Sequence, residues 1–481
     1  MNEPDPLRDR RRKLERIREL GVDPFGRRFE PSHDTRTLKE SFEEHEGREV
    51  ALAGRLTALR DHGKTKFCDL QDREGKIQLY LRKKDIGDEA FELLRNVEVG
   101  DIVGVRGELG RTRMGEVTVF CREFVLLCKA LRPLPEKWHG LKDVGLRYRR
   151  RYLDLIANRD SFGTFLKRSA IIRTVRRVLE EDGYVEVETP MMQSIPGGAA
   201  ARPFVTHHNA LDLDLYLRIA PELFLKRLLV GGLERVFELG KCFRNEGVST
   251  RHNPEFDMLE VYRAYADYTD MMELCERIVC RVCEEVLGGY RVEFGGREID
   301  FSPPWRRVYY LDLVREHAGI DPWDEAAARA ALERAGAEEI PSEHDFVLQE
   351  IFETVVEDKL VQPTFVLDHP AALTPLCRTK PDEPRLSERF ELFVAGMEVA
   401  NAYTELNDPD VQRENFERQL RRGGEETAGK LDEDFLLALE HGMPPAGGMG
   451  IGIDRLVMLL TGSTSIRDVI LFPLLRPRRG D

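Results

Sequence analysis

Two unequal domains of α+β type, a small β-barrel followed by a large domain on antiparallel strands, are what this sequence predicts. Three observations predict them. Between Arg48 and Leu131, five short runs alternate apolar and polar residues with turn signals between them. Further on, strand-like runs follow one another between helical stretches, which suits a mixed, largely antiparallel sheet and not βαβ winding. Finally, 481 residues are enough for two or three cores at roughly 150 residues per domain.

The elements follow in order. Residues 1–45 form an N-terminal helical extension. Within it Leu7, Leu14, Ile17 and Leu20 make a loose helical stripe surrounded by arginines, either a solvated cap or an arm for an anionic partner. The barrel occupies 46–132, as VALAGRLTAL, KFCDLQD, KIQLYLR, DIVGVRGELG and VTVFCREFVLL. The helical stretch EAFELLRNV stands between the third and fourth strands, the pattern of an OB-fold, which often grips single-stranded nucleic acid. Phe67 either fills that barrel or offers a stacking face, and Gln78 offers an amide for a base edge. Proline-rich residues 133–150 read as a linker. The large domain runs from 151 to 481, with an alanine-rich helical insertion at about 315–350 in which no chemistry is visible.

Composition removes several classes. Lys and Arg number 73 against 87 Asp and Glu, a net charge of −14, which argues against non-specific coating of nucleic acid but not against a local basic groove. The N-terminal basic stretch is followed by no apolar export segment, and no window reaches the ~18 apolar residues of a membrane span. The eight cysteines are scattered. Cys275, Cys280 and Cys283 cluster without a second ligand pair, so they read as reduced thiols on a helix. A cytoplasmic location is the expectation.

Three nucleotide-site look-alikes fail. Gly63-Lys64-Thr65 has Ala58 where a phosphate loop needs its first glycine. Gly448, Gly450 and Gly452 lack the dinucleotide spacing and a βαβ setting, and no lysine stands in a K-x-D-G context. Two other clusters carry more. Phe243-Arg244-Asn245-Glu246-Gly247 and Thr250-Arg251-His252-Asn253-Pro254-Glu255-Phe256 form a cationic loop between two strands, suited to a polyphosphate, with Phe256 placed to stack a purine. In GGMGIGIDRLVMLLTG, Asp454 and Arg455 open an apolar helix, where arginine adds to the positive end of the dipole.

These segments resemble the class II lysyl-tRNA synthetases of bacterial type, from about Glu49 to Pro477. FRNEGVSTRHNPEF is similar to motif 2 and GIGIDRLVMLL to motif 3. GYVEVETPMM, with Pro190, is similar to motif 1, which builds the family's homodimer interface. The stretch from Pro196 to Phe204, with IAPELFLKRL and NAYTELNDP, is similar to the lysine-specific segments. The resemblance implies a class II catalytic domain on an antiparallel sheet flanked by helices. It also implies ATP-dependent ligation of L-lysine to tRNA(Lys) through a lysyl-adenylate, releasing AMP and pyrophosphate. Class I signatures are absent from the sequence.

Residue by residue, the resemblance implies the following site. Glu260, Tyr262 and Glu405 surround the ε-ammonium. Glu222 and the Gly198 backbone take the α-ammonium, while Arg244 and Asn401 take the carboxylate. The residues agree with this, since Glu260 and Tyr262, and likewise Asn401, Tyr403 and Glu405, recur at period two on one strand face. Arg244 also holds the α-phosphate, Arg455 the γ-phosphate end and the adenine face, and Arg251 and His252 other phosphate oxygens. Glu246 and Asn253 frame an adenine stacked on Phe256. Glu391 and Glu398 hold Mg²⁺, and Arg55, Phe67, Gln78 and Glu123 read the anticodon. One departure stands out: Met397 replaces the basic residue usual beside the second metal glutamate, an expected loss of charge near the phosphates. An aspartyl or asparaginyl enzyme, or a catalytically silent RNA-binding paralogue, is the alternative. A protein-lysylating paralogue normally lacks the OB domain.

Overall fold

The computed structural model describes residues 6–134, 141–337, 339–422 and 430–477, and the chain divides into two compact units, Met1–Lys142 and Asp143–Asp481. Of the linker expected over 133–150, residues 135–140 lie outside the described residues. Its last part is not linker. Val144–Arg149 is helical, Arg147 Nε donates to Asp154 Oδ1 at 2.9 Å, and Tyr148 donates to Asp468 Oδ1 at 3.1 Å. These polar ties hold the segment to the second unit without an apolar stripe.

In the first unit, strands Glu49–Asp61, Thr65–Gln71, Lys76–Arg82, Ile102–Arg111 and Val117–Cys128 close into a barrel in the order first, second, third, fifth, fourth. Strand alternation sends Cys68, Leu70, Ile77 and Leu79 inward and leaves Phe67, Gln78 and Tyr80 on the outer surface, half-buried. Phe67 therefore does not fill the barrel; its ring lies 4.8 Å from Tyr80, which lies 5.4 Å from Phe120. The N-terminal helix Pro6–Glu19 sends Ile17 into the barrel core, and Arg10 donates to the carbonyls of Val99 and Ala130, both at 2.9 Å. That face of the helix is a cap. Arg8, Arg11 and Arg12 stay exposed.

In the second unit the described residues form an eight-stranded sheet, ordered Arg306–Tyr309, Thr364–Leu367, Arg389–Val394, Met397–Thr404, Ala446–Gly452, Glu255–Ala264, Arg235–Phe243, Val185–Glu186. The pairs at its two ends are parallel and the rest antiparallel. Alternation divides its faces. Leu259, Val261, Leu392, Ala402, Met449 and Ile451 pack beneath helices Arg159–Glu181, Tyr268–Val282 and Ile453–Thr461. Glu260, Tyr262, Glu391, Asn401, Tyr403, Gly448 and Gly450 face the other way, into a cavity. Cys275, Cys280 and Cys283 belong to the helical core, where burial pushes the Cys280 and Cys283 thiols up to about 12. The insertion is a small helical core of its own around Leu332 and Leu348.

Candidate active site

The cavity on the open sheet face has a volume of about 490 Å³, and two groups of side chains line it. The first is acidic. Glu222 opens helix Glu222–Val230, and its Oε1 accepts from Tyr403 Oη at 2.5 Å and from Lys226 Nζ at 2.7 Å. Tyr262 donates to Glu260 Oε2 at 3.1 Å. Burial, then the nearby Glu222 charge, push the Glu260 carboxyl up to about 8, against a smaller lowering by Tyr262. Asn401 Oδ1 accepts from Arg389 Nε at 3.0 Å, which leaves the amide N–H groups for a ligand. Gly198 has φ +87°, and a Cβ there would lie 3.0 Å from the Glu222 Cβ and 3.2 Å from the Ala220 Cβ. Glycine alone fits that backbone conformation beside Glu222.

Glu405 departs from the expected arrangement. Among the described lysine-pocket candidates it alone is absent from the cavity wall. It is fully buried, its carboxylate pairs with Lys226, and it lies behind Gly448 and Tyr262. A Cβ at Gly448 would collide with Glu405 Oε1 and the Tyr262 ring, so the glycine two residues before motif 3 makes room for the pocket's own side chains.

The second group is cationic and aromatic. The Arg244 guanidinium lies 5.1 Å from the Phe256 ring centroid, and its buried Nε has no hydrogen-bond partner among the described residues. The Arg244 N–H donates to Pro254 O at 2.9 Å, pinning the loop across its base. Asn253 Nδ2 donates to Glu255 O at 2.6 Å, leaving its buried Oδ1 an unused acceptor. Arg251 Nη1 donates to Gly396 O at 3.1 Å. Arg455 Nη1 donates to Glu398 O at 2.7 Å, while its Nη2 lies 3.0 Å from His252 Nε2. Burial and then Arg455 hold His252 below its ordinary value, so the neutral ring accepts from Arg455. Glu246 completes this wall.

Glu391 and Glu398 line the same cavity. Arg389 pairs with Glu391, and Arg455 Nη1 lies 3.5 Å from Glu398 Oε2. Desolvation at the cavity wall, then the Glu391 charge, raise the half-buried Glu398 carboxyl, and a cation would relieve the second of these. Among the described residues no group of three acidic, His or Cys side chains could hold a metal. Two carboxylates beside a polyphosphate site do fit Mg²⁺, which takes its remaining ligands from phosphate and water. Met397 corrects the expectation of a lost charge near the phosphates. It is 4% exposed and packs in the helical core, on the opposite side of the strand from its neighbour Glu398.

The anticodon candidates belong to the first unit, on the barrel. Phe67 and Gln78 are on its outer surface, and Gln78 Oε1 accepts from Thr118 at 2.9 Å. Arg55 Nη1 donates to Gly100 O at 2.7 Å, and Glu123 lies 3.4 Å from Arg106. Sequence reasoning missed four contributors to the cavity region. Arg389 orients both Asn401 and Glu391, Lys226 bridges Glu222 and Glu405, and Glu353 and Glu357 enter from just beyond the helical insertion. Arg389 and Lys226 left signals, the one two positions before Glu391 on the same strand and the other one turn after Glu222 on the same helix.

A family model described as tRNA synthetases class II (D, K and N) matches residues 143–476, and one described as an OB-fold nucleic acid binding domain matches 50–127. A lysine–tRNA ligase of Moorella thermoacetica is 56% identical over 482 residues, covering 99% of both chains. One of Syntrophomonas wolfei is 54% identical over 98% of this chain and 96% of its own. One of Bacillus subtilis is 52% identical over 98% of each. With near-complete coverage at that identity, and an acidic pocket beside a cationic one on a single antiparallel sheet, the chain belongs to the lysine–tRNA ligases of the class II aminoacyl-tRNA synthetases.

Proposed function

We propose that this chain ligates L-lysine to tRNA(Lys) in two steps, and that the residues lining the cavity divide the work as follows. The observation that carries the reading is that one cavity joins Glu222, Glu260 and Tyr262 to Arg244, Phe256 and Arg455. That union suits a diamino acid beside a nucleotide. Glu260 and Tyr262 receive the ε-ammonium, with Glu405 contributing charge from behind Gly448. Glu222 and the Gly198 backbone receive the α-ammonium. Arg244 and the Asn401 amide hold the carboxylate, and Tyr403 fixes Glu222.

In the first step the lysine carboxylate oxygen attacks the α-phosphorus of ATP, the bond to the β-phosphate oxygen breaks, and pyrophosphate leaves. No protein nucleophile is needed, so catalysis is alignment and charge stabilisation. Arg244, whose Nε has no partner among the described residues, sits where α-phosphate charge develops. Arg251, His252 and Arg455 receive the outer phosphates, and the neutral His252 orients Arg455. Phe256 stacks the adenine, Asn253 Oδ1 accepts from its amino group, and Glu246 closes that side. Mg²⁺ held by Glu391 and Glu398 supplies further positive charge to the polyphosphate. In the second step a terminal ribose hydroxyl of tRNA attacks the acyl carbon and AMP leaves.

The barrel reads the anticodon through Phe67, Gln78, Arg55 and Glu123. A half-buried, outward-facing aromatic with hydrogen-bonding groups on the same barrel suits splayed, unstacked bases. Two copies associate through motif 1 around Pro190, a reading supported by Met192 and Val205, which are 57% and 61% exposed. Among the described residues no helix is long and apolar enough to cross a membrane. All eight cysteines are free, as a reducing cytoplasm would leave them.

Lysine-dependent ATP–pyrophosphate exchange tests the function. Exchange with lysine at low concentration supports it. Exchange with aspartate or asparagine instead, or with no amino acid at all, overturns it in favour of a different specificity or a silent paralogue.

A further inference from the structure

We infer that Lys226 is a positioning residue that sets the charge of the amino-acid pocket, by bridging Glu222 and Glu405 so that the fully ionised pocket takes two positive charges from its ligand. The inference deepens the lysine-ligase reading and rests on it. Lys226 is wholly buried on helix Glu222–Val230, one turn after Glu222. Its Nζ donates to Glu222 Oε1 at 2.7 Å, pairs with Glu405, and lies 5.4 Å from the Tyr403 ring centroid. Burial alone would lower this ammonium, but the charges of Glu222 and then Glu405 outweigh it and leave it raised, so it stays a cation.

Two consequences follow. The first is orientation: with Lys226 and Tyr403 both holding Glu222 Oε1, Oε2 is the oxygen turned to Gly198, as its 3.6 Å approach to the Gly198 Cβ position records. That is the oxygen left for an α-ammonium. The second is balance. Glu222, Glu260 and Glu405 are three buried carboxylates, and buried charges persist only when compensated. Lys226 compensates one. A substrate with two ammonium groups compensates the remaining two, Glu260 ionising as the second ammonium arrives, whereas an amino acid with a neutral side chain has no charge to draw Glu260 into its ionised form. Lys226 thus acts on specificity without touching the substrate.

The test is lysine-dependent ATP–pyrophosphate exchange with full-length wild type, K226M, K226R and the double variant K226M/E405Q, each with its thermal midpoint. K226M is expected to raise the lysine KM by at least about tenfold while leaving the ATP KM within about twofold. The double variant removes the carboxylate that lost its partner, so it should recover part of the lysine KM and of the thermal midpoint, and K226R should lie between K226M and wild type. The proposal is overturned if K226M keeps the wild-type lysine KM. It is also overturned if K226M/E405Q folds and binds lysine no better than K226M. Should K226M fail to fold, K226R and the double variant decide by the same comparison. A wild type without lysine-dependent exchange would sink the functional reading itself, an outcome distinct from an active enzyme indifferent to residue 226.

Discussion

At the scale of single residues, Glu260 couples binding to protons. With its carboxyl raised to about 8, chiefly by burial and then by Glu222, it is largely protonated in the ligand-free chain at neutral pH. An incoming ε-ammonium favours the carboxylate and expels that proton. Lysine binding at pH 7 should therefore release close to one proton, read as a dependence of calorimetric heat on buffer ionisation enthalpy. The lysine KM should fall as pH rises toward 8 and level off above it. E260Q should lose both effects; buffer-independent heats in the wild type would contradict the assignment. The sign for stability is opposite. A carboxyl raised in the folded state favours folding fully below its unfolded value of 4.5, and that contribution disappears as pH climbs through about 8. The empty enzyme should lose thermal stability over this range more steeply than E260Q. Gly448 gives a second prediction at this scale. A methyl group there collides with Glu405 and Tyr262, so G448A should cost about 1–3 kcal/mol of stability by overpacking. It should also raise the lysine KM more than the ATP KM, and equal rises in exchange assays would refute that placement.

At the scale of elements, strand alternation makes half of the site legible in the sequence. It puts Glu260 with Tyr262, and Asn401 with Tyr403, on one strand face, and the cavity uses both pairs. The same rule applied to Glu405 gives the correct face but not its depth, because the covering Gly448 strand and the Lys226 helix come from distant sequence. Lys226 and Glu405 meet only through tertiary packing and nothing local marks that pair, whereas Arg389 reaches Asn401 across the pairing of two consecutive strands. The helix 144–149 escapes a periodicity reading for a related reason, since ion pairs and not an apolar period hold it. In the barrel, alternation decides what composition leaves open, turning Phe67 outward beside Tyr80. F67A should therefore leave the barrel folded and pyrophosphate exchange intact. With base stacking worth about 1–3 kcal/mol, it should raise the tRNA KM for charging roughly tenfold or more. Loss of exchange along with charging would assign Phe67 a folding role instead.

At the scale of the whole molecule, the sheet ends in an exposed edge whose fate bears on the pocket. Among the described residues Val185–Glu186 pairs on one side only, with Arg235–Phe243. Beyond it Met191, Met192, Val205 and Leu213 are all more than two-fifths exposed. An unpaired edge together with several exposed apolar side chains is a liability in a monomer and an asset in a two-fold dimer. The loop from Ile195 to Ala200, which carries Gly198, lies between Met192 and Val205 in sequence and lines the cavity. Covering the patch would thus steady the backbone that receives the α-ammonium. The chain should sediment at twice its monomer mass, and M192D/V205D should shift it toward the monomer. Both side chains are exposed in the single chain, so a monomeric protein would tolerate the change with unaltered stability and lysine KM. In a dimer the same change should lower the thermal midpoint, make it depend on protein concentration, and raise the lysine KM. Wild-type sedimentation as a monomer, or full activity in a monomeric double variant, would separate the pocket from the interface.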